Sequence, residues 1–120
     1  MLSALTPSQV GHVISLLDRL AQARTARAAE GKQQSPDEII NDPERRLLTH
    51  YLYGLSGEAR KELIALMLLG RGDFNHSYES ALETCSRYTD VDDQVVYLMT
   101  KTVRLAEYLG SGLSALGRDQ

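Results

Sequence analysis

Apolar residues recur along this chain at helical spacing, and polar capping signals separate one apolar stripe from the next. Val10, Val13, Ile14, Leu17, Leu20 and Ala21 repeat every three or four positions, which places them on one face of a helix. Ahead of them, Thr6-Pro7-Ser8-Gln9 has the Thr-x-x-Gln spacing of a capping box with proline in the first turn, so the helix should start at Pro7. Its continuation from Gln22 to Glu30 is alanine-rich but lacks a large apolar residue, and is expected to project past the core or fray. Gly31-Lys32-Gln33-Gln34 reads as a polar, flexible linker near residues 31–35. Ser35-Pro36-Asp37-Glu38 opens a short turn through Ile40, and Asp42-Pro43-Glu44 restarts the chain with a new cap and a new proline. The second helix should run from Pro43 to about Leu55, with Leu47, Leu48, Tyr51, Leu52 and Leu55 as its apolar face.

The densest apolar run is Leu63-Ile64-Ala65-Leu66-Met67-Leu68-Leu69, too short to cross a membrane and rich in helix formers. It predicts a helix from about Gly57 to Leu69, capped by Ser56 and buried on most of its circumference. Gly70 is expected to end it in a left-handed conformation, leaving Arg71 and Asp73 as the first exposed groups. Downstream, Tyr78, Ala81, Leu82, Cys85 and Tyr88 mark a short amphipathic helix. Asp90 starts another that carries Val95, Val96 and Met99, and Leu105, Leu109, Leu113 and Leu116 line up on the last. No segment alternates like a strand and no fixed-period repeat is present. The expected fold is a single all-α domain over residues 1–120, a small helical bundle of five or six helices.

The block Glu62-Leu63-Ile64-Ala65-Leu66-Met67-Leu68-Leu69-Gly70-Arg71-Gly72-Asp73 is followed by Tyr97-Leu98-Met99 and by Leu105-Ala106-Glu107-Tyr108-Leu109-Gly110-Ser111-Gly112-Leu113. In that order the C-terminal half of the chain resembles a small bacterial family known only as domain of unknown function 3775. The resemblance implies the helical fold and carries no assigned activity, cofactor or site.

Composition narrows the function. At 120 residues the chain can build a core without metal or disulfide staples. The lone Cys85 has no internal partner, and the first residues lack the basic lead and apolar core of a signal peptide, so a cytoplasmic location is expected. A net charge of −3 argues against binding to nucleic acid or anionic membrane through a general positive field. The charge is uneven, with four basic residues against Glu30 between Arg19 and Lys32, and six acidic residues against Arg87 between Asp73 and Asp93. Such asymmetry can orient one chain against another.

Candidate chemistry is sparse. His76, Glu79 and Glu83 lie along one helix face as a divalent metal would use them, but a single reversed His-x-x-Glu falls short of the paired motifs of carboxylate-bridged bundles. No metal or cofactor is assigned, and a solvated face is the expectation. Cys85 within an apolar stripe reads as a small core residue rather than a nucleophile. Arg71-Gly72-Asp73 spells an adhesion tripeptide by coincidence. Arg71 itself could bind an anionic group, or bond the last carbonyls of its own helix.

The function these residues favour is a non-enzymatic helical interaction domain that forms homo-oligomers. Its interface candidates are Leu105, Leu109, Leu113 and Leu116, beside the small residues Gly110, Ser111 and Gly112 that allow close helix approach. The competing reading is a small-ligand- or metal-dependent enzyme built around Arg71, Asp73 and His76. A third is a nucleic-acid-binding accessory protein using Arg19, Arg24 and Arg27, against which the net charge stands.

Overall fold

A computed structural model describes residues 3–29, 43–72, 77–85, 90–102 and 104–118. The described residues form six helices and no strand: α1 (Pro7–Ala29), α2 (Pro43–Gly54), α3 (Gly57–Gly70), α4 (Tyr78–Cys85), α5 (Val91–Met99) and α6 (Leu105–Arg118). The chain is thus the expected all-α bundle. The linker at 31–35, the turn through Ile40, and Tyr88 lie outside the described residues.

Local chemistry starts the helices where the capping signals place them. Thr6 donates its backbone N–H to Gln9 Oε1 at 2.9 Å, and Gln9 returns its own N–H to Thr6 Oγ1 at 3.1 Å. Ser56 Oγ accepts from the Ala59 N–H at 3.1 Å. The Asp90 carboxylate accepts from the N–H groups of Asp92 and Asp93 at 2.8 and 3.2 Å, which satisfies two donors that the first turn of α5 leaves open.

Every residue of α3 from Glu62 to Leu69 is buried. The helix is the axle of the bundle, with its broadest contact on α6 and further contacts on α4 and α5. Around it, α1 packs on α2 and α6, and α2 packs on α5. In α1 the buried side chains are Val10, Val13, Leu16, Leu17 and Leu20, with Ile14 at the margin and Ala21 exposed. The helix continues to Ala29 without another buried residue among those described, so its alanine-rich end projects past the core and stays helical.

Besides Ala21, two inward assignments change. Leu47 is 51% exposed and Val96 is 59% exposed, although both belong to apolar clusters in the sequence. Leu48 and Leu52 use the inward stripe of α2, and Val95, Leu98 and Met99 that of α5; neighbouring residues on a helix point about 100° apart, so Leu47 and Val96 face away.

The end of α3 also differs. Gly70 is helical, and the capping residue Arg71 keeps right-handed angles of φ −72° and ψ −11°. The left-handed residue is Gly72, with φ 87°, and its N–H bonds the Leu69 carbonyl at 3.1 Å. Gly70 is glycine for another reason. A Cβ there would overlap the backbone carbonyl of Tyr108 on α6, and one at Gly112 would overlap the carbonyl of Leu66 on α3. These two glycines bring the helix backbones together, while Gly110 meets nothing within 4 Å.

Candidate functional site

Among the described residues, two charged residues and a glutamine are buried in the bundle: Arg60, Glu62 and Gln94. Each has a structural task. The Glu62 carboxylate, on α3, accepts from the backbone N–H groups of Ser3, Ala4 and Leu5 and from Ser3 Oγ, at distances from 2.7 to 3.3 Å. It pins the segment ahead of α1 to the central helix with charge-assisted bonds. Arg60 reaches the other way. Its guanidinium donates to the carbonyls of Leu52 at 3.1 Å and Tyr53 at 3.3 Å, to that of Leu55, and through Nε to Gln94 Oε1 at 2.7 Å. It therefore closes the open carbonyls at the end of α2 and ties that end to α5.

A fourth buried polar group is less well served. The Tyr78 hydroxyl finds no hydrogen-bond partner among the described residues, and burial pushes its acidity well below that of an ordinary phenol, with the Glu62 charge adding to the effect. Tyr78→Phe removes the orphan hydroxyl and keeps the ring. It should stabilise the fold by about 1 kcal/mol in urea unfolding; a loss of similar size would show that the hydroxyl is bonded.

The candidates from the sequence do not gather around a common centre. Arg71 is exposed at the end of α3, while Asp73 and His76 lie outside the described residues. Glu79 and Glu83 are exposed on α4, and no three His, Cys, Asp or Glu among the described residues are placed to hold a metal ion. Cys85 is buried. On α1, Arg19 is exposed, Arg24 is half-buried, and the Arg27 side chain is outside the description. Leu105, Leu109 and Leu116 are buried inside the protomer and Leu113 partly so, in the helix that packs most broadly on α3. Their stripe and Gly112 are accounted for within one chain.

Among the described residues, the exposed large apolar side chains lie elsewhere, along α2 and α5. These helices run antiparallel: Tyr53, near the end of α2, donates its hydroxyl to Asp92 Oδ1 at the start of α5 at 2.6 Å, whereas Thr49, further back, meets Met99 Sδ at 3.7 Å. Between them is a cleft of about 490 Å³ with Val95, Val96 and Met99 on one wall and Thr49, His50 and Tyr53 on the other. Arg45, Arg46 and Thr100 close one end, and the Tyr53–Asp92 pair marks the other. The Asp92 carboxylate, by accepting a hydrogen bond from the phenol, raises the Tyr53 pKa above its usual value. Arg46 and His50 also border a shallower hollow with Pro43 and Leu47, so Leu47 continues the same surface over the shoulder of α2.

Together these features define a small all-α bundle with buried polar ties and, among the described residues, an open apolar face. The chain belongs to the family described as Protein of unknown function (DUF3775), whose model matches residues 45–118, from the first turn of α2 to the end of α6. Neither the curated proteins nor the solved structures gave a match. No helix among the described residues is long and apolar enough to cross a membrane.

Proposed function

We propose that this domain is a non-enzymatic protein-interaction module of the cytoplasm and that its contact surface is the α2–α5 face. One observation carries the reading. Leu47, Tyr53 and Val96 are 51%, 43% and 59% exposed, and all three fall on this one continuous surface. A single exposed leucine is ordinary on a soluble domain, but large apolar groups gathered beside a cleft and rimmed by arginine and histidine have the make-up of a contact patch. The aromatic ring and the two arginines are also the residue types that contribute most at protein interfaces.

A photoreactive phenylalanine derivative placed at Val96 tests this in cells. It should give a discrete protein adduct, as should the same group at Leu47, whereas the exposed Ser15 on α1 should not. Labelling at Val96 no greater than at Ser15 would remove the face from any interface.

A further inference from the structure

We infer that the α2–α5 face binds a second copy of the same chain about a two-fold axis; this rests on the face being an interaction surface. The argument is the distribution of charge along the cleft. Arg45 and Arg46 stand at one end beside Thr100, and Asp92 stands at the other beside Tyr53, with the exposed Val96 between them. Asp92, Val96 and Thr100 are spaced four apart on α5 and share one stripe, which runs about 12 Å from the acidic end to the basic end at the rise of an α-helix.

A surface that is basic at one end, apolar in the middle and acidic at the other is complementary to itself when turned through 180°. Rotation about an axis near Val96 sets Arg46 of each copy against Asp92 of its partner, brings the two Val96 side chains together, and covers Tyr53. Each contact then occurs twice, as an isologous interface requires. An acidic partner of another kind would complement the arginines but would leave Asp92 against like charge. An interface that rests on exposed charge pairs should be weak, in the micromolar range, and sensitive to salt.

Charge reversal tests this with the full chain by sedimentation equilibrium. The wild type should shift from one chain to two as its concentration rises. Arg46→Glu and Asp92→Arg each place like charges together at both symmetry-related contacts, so each variant alone should raise the dissociation constant about tenfold or more. Mixed in equal amounts they should recover wild-type association, because in the mixed pair both contacts are complementary. The double variant Arg46→Glu with Asp92→Arg should likewise pair with itself. Both positions being exposed, helical content by circular dichroism should match the wild type, and recovery on mixing shows independently that both chains are folded. Singles that weaken without recovery on mixing would overturn the two-fold arrangement, and singles that associate normally would overturn the face. A wild type that stays monomeric at every concentration would overturn self-association. In that last case a Val96 adduct with a different polypeptide leaves the interaction reading standing, and the lack of any adduct removes both.

Discussion

Gly70→Ala should destabilise the protein by about 3 kcal/mol or more, at the upper end of the range for forcing atoms into a packed core. The obstacle is backbone, not a side chain that can swing away. A methyl group at this position would overlap the Tyr108 carbonyl, so α3 and α6 must separate along the broadest contact of the bundle. Gly112→Ala meets the same barrier from the opposite helix, at the Leu66 carbonyl, and should cost a similar amount. Because both variants force the same separation, the second should add less than the first once the helices have moved apart. Gly72 supplies the contrast. Nothing lies within 4 Å of a Cβ there, and its φ of 87° means that Gly72→Ala costs only the left-handed penalty, about 1–2 kcal/mol. Urea unfolding of the three variants separates close approach from chain reversal. Equal losses at Gly70 and Gly72 would mean that Gly70 acts merely as a helix stop.

The sequence carries the helices more fully than the surfaces they present. Capping residues and periodicity are local, so Thr6 with Gln9, Ser56 and Asp90 place the starts of α1, α3 and α5. Which apolar residue faces inward is a tertiary matter. In α2, Leu47 with Tyr51 and Leu48 with Leu52 form adjacent stripes of similar strength; Leu48 and Leu52 are fully buried, Tyr51 is half-buried against His12 of α1, and Leu47 is left outside. Val95 and Val96 divide in the same way. Leu47 and Val96 of the candidate face are residues whose hydrophobicity made them look like core.

The buried charges were legible in principle. A helix enclosed on nearly every side cannot keep Arg60 and Glu62 in water, because they share stripes with Ile64 and with Leu66, four residues on. What the sequence lacks is the identity of their partners, which are mainly backbone groups of α2 and of the segment before α1. Backbone acceptors and donors leave no residue-type signature. Arg71, Asp73 and His76 are distinctive by residue type alone, whereas the place of Arg60 shows only in its bonds to the end of α2 and to Gln94 of α5.

Arg60→Ala should cost about 3–5 kcal/mol, since bonds to a charged donor contribute about 1.5–3 kcal/mol and each buried acceptor left open costs about 1–3 kcal/mol. The loss has two parts. The carbonyls of Leu52, Tyr53 and Leu55 lose their shared donor at the end of α2, and Gln94, fully buried on α5, loses the partner of its Oε1. Arg60→Lys should recover less than half of this, because one ammonium cannot reproduce a planar fork that bonds Gln94 through Nε and the α2 carbonyls through a terminal nitrogen. Lys61→Ala is the control. It removes a neighbouring cation whose 3.3 Å contact with Glu58 is solvent-exposed, and should change stability by no more than about 0.5 kcal/mol. A double-mutant cycle between Arg60→Ala and Gln94→Ala should give a coupling of about 1–3 kcal/mol, since the two share a bond across which α2 and α5 are held together. Coupling near zero would mean that the Arg60–Gln94 bond takes no part in aligning the helices. A positive result would make Arg60 the positioning residue for the cleft between Tyr53 and Asp92, so that Arg60→Lys, although folded, should also show weaker labelling from Val96 than the wild type.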